Sequence, residues 1–455
     1  MAQMSKAGDL TSGPMLKKII LFSLPLAASS FLQLLFNAAD VVVVGRFAGS
    51  AALAAVGSNG ALINLLVNLF VGLALGANVV AARCYGAKDD QGVHEAVQTA
   101  VTLSLVGGVL MAFVGFFAAH GLLELMSSPE DVIDLATLYL KIYFIGMPMT
   151  MLYNFNASLL RAVGDTRRPL VCLAVAGVIN VVLNLLFVIV FQMSVAGVAL
   201  ATILSQTVSA IMVTVLLVRE EGAMHLDLRH LGIHKKAMLQ IIQIGLPAGL
   251  QSVMYSLSNI IIQASVNGFG TDVMAAYTAY GKVDGMYWMV INAFGVAITT
   301  FVGQNFGARL YDRMKKSINV CLGIAAAVTL LLSGVLMVVA EPLLGLFSDD
   351  AQVLEIGLSI VRLIVPTYIT YIFIEILSGA MRGAGDSLIP TIMTLTGVCL
   401  LRVFWVTVVV SAHHELNVLL LSYPITWIVT SGMFMVYYLR GRWLKRCIAL
   451  QNAEN

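Results

Sequence analysis

Three carboxylates lie inside long apolar stretches of this chain: Asp40, Asp284 and Glu375. A charged Asp at the centre of a membrane helix costs about 2.5–3.5 kcal/mol on insertion scales, so an acid kept there needs partners and a task. Asp40 closes the run Phe36-Asn37-Ala38-Ala39-Asp40 and is followed by Val41 to Val44, then Gly45-Arg46. Its candidate partners are polar. Asn180 and Asn184 are i,i+4 and share a helix face. Thr202 lies beyond a short turn near Gln192, and Asn37 precedes Asp40 by one helical turn. A carboxylate grouped with carboxamides and a hydroxyl suits a proton or a hard cation such as Na⁺, which takes oxygen ligands. The alternative is an Asp that snorkels to the outer interface, about 33 Å of straight helix beyond Lys18. Asp284 and Glu375 have Lys282 and Arg402 in the same half of the chain, so a structural ion pair competes with a substrate or coupling role.

Positioning such residues takes membrane helices. The chain has 455 residues, 59% of them hydrophobic and 11% charged, with a mean hydropathy of +0.92. Soluble domains carry about 25% charged residues. The expected class is an all-α integral membrane protein. A helix needs about 20 apolar residues to cross the hydrocarbon, and twelve stretches qualify: 17–44, 53–80, 94–120, 135–159, 169–191, 195–218, 238–266, 274–302, 317–340, 355–380, 389–411 and 416–439. Basic residues gather on alternate loops, at Arg83 and Lys88, Arg161 to Arg168, Arg219 to Lys236, Arg309 to Lys316, and the tail from Arg440. The opposite loops carry acids such as Glu124, Asp272 and Glu341, with Arg46 as their one base. The positive-inside rule then places both termini in the cytoplasm.

The chain repeats itself. Leu24-Pro25 matches Leu246-Pro247 at a displacement of 222 positions, and Gly86-Ala87 matches Gly307-Ala308 at 221. Arg161-x-x-Gly164-Asp165 matches Arg382-x-x-Gly385-Asp386, and Pro169 matches Pro390, also at 221. The expected organisation is an N-terminal lobe (1–218), a cytoplasmic linker (219–237) and a C-terminal lobe (238–455). Each lobe has six spans, related by a pseudo-two-fold axis along the membrane normal. Two duplicated lobes that rock about a central cavity are transporter architecture. Pro25 and Pro247 fall inside spans 1 and 7, where a missing backbone hydrogen bond makes either a tolerated kink or a hinge.

Other chemistries lack their signatures. The cysteines Cys84, Cys172, Cys321, Cys399 and Cys447 form no CxxC pair. Gly281-Lys282 is followed by Val283 and has no upstream glycine at the P-loop spacing, so nucleotide hydrolysis is not expected. His413-His414-Glu415 is not a zinc-hydrolase motif. The linker holds His225, His230 and His234 and reads as a solvated connector. In span 4, Tyr139, Tyr143 and Tyr153 crowd together with Met147, Met149 and Met151, which is either ordinary packing or an adaptable wall for varied ligands.

Together these residues resemble the multidrug and toxic compound extrusion (MATE) transporters, over nearly the whole chain. The resemblance rests on Asn37-x-x-Asp40 with Val44-Gly45-Arg46-Phe47, on Gly303-Gln304-Asn305-Phe306-Gly307-Ala308, and on the paired Arg-x-x-Gly-Asp segments. It implies export of organic cations or amphiphiles against an inward flow of H⁺ or Na⁺. It also implies a first-lobe coupling site at Asp40, Asn180, Asn184 and Thr202, with Asn184 standing where many members carry Asp. The second-lobe acids of the NorM-like branch fall here on Tyr255 and Tyr371, which places the chain nearer the DinF-like and MepA-like bacterial branches. Asp284, Glu375, Asn37 and Tyr139 are then candidates for a second-lobe or substrate cavity.

The expectation is a monomeric, multi-pass antiporter of the bacterial cytoplasmic (inner) membrane, with no cofactor beyond the coupling ion and no nucleic-acid partner. The alternative is a lipid-linked oligosaccharide flippase of the same wider superfamily. Such a flippase needs several cavity cations, and only Lys141, Lys282, Arg362 and Arg402 are intramembrane.

Overall fold

The computed structural model describes residues 8–126, 129–348 and 350–454. Among them every regular element is helical. In chain order these are α1 (Met15–Phe47), α2 (Ser50–Ala87), α3 (Asp90–Leu125), α4 (Glu130–Ile145), α5 (Met147–Ala162), α6 (Arg167–Val190) and α7 (Ser194–Arg219). They continue with α8 (Lys235–Asn267), α9 (Thr271–Gly307), α10 (Tyr311–Gly345), α11 (Ala351–Gly383), α12 (Leu388–Val410), α13 (Leu416–Leu439) and α14 (Arg442–Glu454). Eleven of the described helices are long and apolar enough to cross a membrane, and the pair α4–α5, bent by 49° at Gly146, makes a twelfth if it is taken as one span. On α3 the residues Val106, Leu110, Phe113 and Phe117 recur at helical spacing and are all exposed. In water such a stripe would be a liability; in lipid it is the outer wall.

The sequence repeat is a repeat of helix endings. At the end of α5, Gly164 takes a φ of +87°, its N–H bonds to Arg161 O at 2.9 Å, and Asp165 N–H bonds to Leu160 O at 3.0 Å. At the end of α11, Gly385 takes a φ of +99°, with the same bonds to Arg382 O at 2.9 Å and from Asp386 to Met381 O at 3.0 Å. This left-handed stop satisfies the last free carbonyls of a helix. The aspartate then serves the next helix: Asp165 accepts from the backbone of Arg167 and Arg168, both at 3.1 Å, and Asp386 from Ile389 at 3.3 Å. Arg446 on α14 also forms an ion pair with Asp386 at 3.0 Å, and burial nonetheless pushes that carboxyl above its ordinary value.

Gly164 tests the point. A Cβ there would run into the backbone of Gly8, with Gly8 Cα at 2.6 Å. Gly164→Ala is expected to cost at least about 1–2 kcal/mol, the left-handed penalty for a side chain, because the neighbour is backbone and cannot swing away. Thermal unfolding in detergent would read this as a lowered midpoint, and an unchanged midpoint would remove the stop from the account.

Packing sorts the helices into two units. The first holds Leu24–Leu246 with the stretch that ends at Asp9; the second holds Leu10–Ser23 with Pro247 onward. The boundaries inside α1 and α8 fall beside Pro25 and Pro247, which lie within those helices. In the first unit, α2, α3 and α5 meet through Ala74, Ala77, Ala81, Ala96, Ala100 and Ala157. Small residues permit the close approach on which membrane helix packing depends. Carboxamides tie α5 to α2 and to α7: Asn78 Nδ2 donates to Ser158 O at 2.9 Å, and Asn156 Nδ2 to Thr214 Oγ1 at 2.8 Å. The segment 219–237 is more than a solvated connector, because Met224 and Leu226 are buried in this core. Its end is pinned where His234 N–H donates to Thr99 Oγ1 at 3.0 Å. In the second unit, α9 and α11 touch backbone to backbone at Gly295, Gly379 and Gly383, and Thr299 Oγ1 donates to Gly379 O at 3.0 Å.

Candidate functional site

Asp40 reaches its partners because α1 lies directly on α6. Phe36, one turn before Asp40, packs its ring where a side chain on Gly177 would be. Three and seven positions after Gly177, on that side of α6, come Asn180 and Asn184. Asn184 Nδ2 donates to Asp40 Oδ1 and also to Asn180 Oδ1 at 3.2 Å. The three side chains are 9% (Asp40), 5% (Asn180) and 0% (Asn184) exposed, so the cluster is buried within the protein. Beyond it along α1, Val43 and Val44 are buried with Val188 of α6 and Val198 of α7 in one apolar cluster, while Val41 and Val42 face outward.

The Asn184 amide NH₂ thus sits between two oxygens that belong to different helices. The same residue's Oδ1 is buried with no hydrogen-bond partner, and an acceptor left so is costly. A half-turn of the amide would aim three oxygens, from Asp40, Asn180 and Asn184, at one point. The donor set fits a small hard cation, and the lone carboxylate fits a proton.

Among the described residues no hydrogen bond joins Thr202, Asn37 or Tyr139 to that cluster. Thr202 Oγ1 donates to Val198 O of its own helix at 2.9 Å. Asn37 is exposed. Tyr139 is 7% exposed, stacks on Tyr143 with centroids 6.3 Å apart, and belongs to the apolar cluster of Val43 and Val44.

The second unit surrounds its acids with aromatic donors. Asp284 on α9 accepts from Tyr280 Oη at 3.1 Å, from Trp288 Nε1 at 2.6 Å and from Tyr368 Oη of α11. Trp288 meets Tyr371 edge-on at 4.5 Å between centroids and Trp427 of α13 at 5.8 Å. Glu375 accepts from Tyr371 Oη at 3.3 Å, and Tyr255 Oη donates to Tyr371 Oη at 3.5 Å. Tyr255 and Tyr371, where the resemblance would place acids in the NorM-like branch, therefore form a phenol pair that ends on Glu375. Among the described residues no ion pair joins Asp284 or Glu375 to Lys282 or Arg402. Lys282 is exposed. Arg402 donates to Asn259 Oδ1 and Thr426 Oγ1, both at 3.3 Å, and lies over the Tyr423 ring at 4.4 Å. Sequence reasoning found the acids and missed their cage. The signal was the helical spacing of Tyr277, Tyr280, Asp284, Tyr287 and Trp288, answered by Tyr368, Tyr371 and Glu375 on α11.

Two repeated sets of membrane helices, each holding carboxylates among polar or aromatic donors, define a polytopic transporter. The MatE family model matches residues 25–186 and again 247–408, the same repeat found in the helix endings. The chain belongs to this family, the MATE transporters, which move small molecules across membranes and are not enzymes. It is 28% identical to the probable multidrug resistance protein YoeA of Bacillus subtilis over 93% of each chain. It is 29% identical to the probable multidrug resistance protein YpnP of the same organism, over 96% of this chain and 98% of that one. A solved MOP superfamily transporter from Pyrococcus furiosus has the same fold, with a TM-score of 0.89 at 23% identity over 98% of this chain and 99% of that one.

Proposed function

We propose that this chain is a secondary antiporter that exports organic cations or amphiphilic small molecules in exchange for H⁺ or Na⁺, by alternating access of its two lobes. The observation that carries the reading is the buried Asp40–Asn184–Asn180 cluster, which joins α1 to α6 through one titratable group. Taking up a proton or cation removes the negative charge that Asn184 now satisfies. The favoured packing of α1 on α6 then changes, and an ion that prefers one packing shifts the population toward it. Pro25 and Pro247 are the hinges, since each interrupts the hydrogen-bond ladder of the helix that must flex. The multidrug names of YoeA and YpnP support a broad cargo. The buried Asp284 supports a cationic one, because an opposite charge favours an ionised carboxylate. The chain works as a monomer in a bacterial inner membrane with both termini cytoplasmic, as its loop charges favour, and takes no cofactor other than the coupling ion.

The test is efflux of a cationic dye from proteoliposomes under an imposed H⁺ or Na⁺ gradient, each applied alone. Efflux is expected to rise with one gradient and collapse with its dissipation. Efflux indifferent to both would overturn the proposal.

A further inference from the structure

The motif that closes α9, Gly303-Gln304-Asn305-Phe306-Gly307-Ala308, has no part in the clusters around Asp40 or Asp284. It has another occupant. Gln304 and Asn305 are each 0% exposed. Gln304 Oε1 accepts the backbone N–H of Leu10 at 2.9 Å. Asn305 Nδ2 donates to Leu10 O at 3.3 Å and to Phe301 O at 2.7 Å. Arg313, near the start of α10, completes the socket: its Nη2 donates to Ser12 O at 2.7 Å, to Gly13 O at 2.9 Å and to Leu10 O at 3.3 Å. Three side chains thus read the main chain of Leu10–Gly13. Gly13, with a φ of +72°, and Pro14 then turn the chain into α1. Ile19 is fully buried, and Phe22 meets Phe301 edge-on at 6.3 Å, so the first turns of α1 belong to the second unit. From Leu24 onward the same helix belongs to the first unit, and it carries Asp40 about 27 Å beyond Phe22.

We propose that Gln304, Asn305 and Arg313 are positioning residues of the transport cycle. They clamp the start of α1 to the second unit, so that a change of packing at Asp40 is transmitted along one helix into that unit. The role rests on the reading of Asp40 as the coupling residue. Backbone recognition suits it: the socket holds a chain segment whatever its side chains, and a rigid grip at one end turns a bend at Pro25 into displacement. A merely structural cap would affect folding and leave the split between binding and turnover untouched.

The experiment combines labelling with transport in the full-length protein. Leu10→Cys, at a position 2% exposed in the parent, reports release of the strap through maleimide labelling above that of the parent with its native cysteines. In Gln304→Leu/Arg313→Ala this labelling is expected to quicken about tenfold or more, as local opening becomes cheap. In the same background with Leu10 restored, kcat of gradient-driven dye transport is expected to fall about tenfold with KM and dye affinity within about twofold. Gln304→Glu keeps an acceptor oxygen for Leu10 N–H and is expected to keep most of the turnover. If the double variant loses dye binding through misfolding, Gln304→Leu set against Gln304→Glu decides in the same way. Continued protection of the introduced thiol in the double variant would overturn the proposal, as would release of the strap with wild-type kcat. A failure of the coupling reading looks different: Asp40→Asn would then keep gradient-driven transport while the labelling result stands.

Discussion

Asp40→Asn is expected to yield a folded protein that binds its cargo and no longer answers to an ion gradient. The physical argument separates the charge from the hydrogen bond. Asn184 Nδ2 donates to Asp40 Oδ1, and an asparagine at position 40 still offers an acceptor oxygen there, so the buried amide keeps its partner. Asp40→Ala would leave one of the two buried N–H groups of Asn184 without its acceptor, at about 1–3 kcal/mol, which confounds stability with function. The asparagine variant removes only the titratable charge. A free energy of coupling between sites is typically 1–3 kcal/mol, equivalent to about 5–150-fold, and gradient-driven efflux is expected to fall within that range. Dye binding in detergent checks the fold, and efflux from proteoliposomes checks the coupling. Wild-type gradient dependence in Asp40→Asn would take Asp40 out of the mechanism.

The second large effect is predicted for a residue with no chemistry of its own. Gly177→Val places a branched side chain in the volume now filled by the Phe36 ring. Overpacking of this kind costs about 1–3 kcal/mol, and here the strain has a direction. The ring yields by rotating or by carrying its turn of α1 away from α6, and the second displaces Asp40, one turn further on. Efflux is therefore expected to drop about tenfold, in keeping with positional losses at remote contacts. Phe36→Ala added to Gly177→Val empties the contested space and is expected to restore most of the activity. That non-additivity is the signature of two groups in contact. If the two substitutions simply add, the Phe36–Gly177 contact does not set the distance between Asp40 and Asn184.

What could be read in the sequence was whatever polar chemistry makes conspicuous against an apolar background. Asp40 stands out because no charged residue separates it from Lys18, and Asn180 with Asn184 because i,i+4 spacing guarantees a shared face. The repeat was legible because its anchors, Gly164-Asp165 and Gly385-Asp386, are demanded by backbone geometry and tolerate few substitutes. Thr202 was less readable, since a helical threonine can satisfy its hydroxyl on the carbonyl four residues back, as it does on Val198. The cage of Tyr280, Trp288 and Tyr368 was hidden for the opposite reason. Aromatic rings count as apolar in any hydropathy window, and only the structure shows that their polar edges converge on Asp284.

The strap at Leu10–Gly13 has a consequence for the order in which the chain is made. Its socket, ending at Arg313, lies roughly 300 residues downstream, which at 5–20 residues per second is about 15–60 s of synthesis. Throughout that interval the emerging protein holds α1 without the partner that fixes its start. The first unit, likewise, waits for 235–246 before it is whole. The second unit cannot be finished from either half of the chain alone, since it takes Leu10–Ser23 as well as Pro247 onward. A ribosome that stalls between the two halves leaves a product whose α1 starts unmoored, because every side chain that grips Leu10–Gly13 is still to be made.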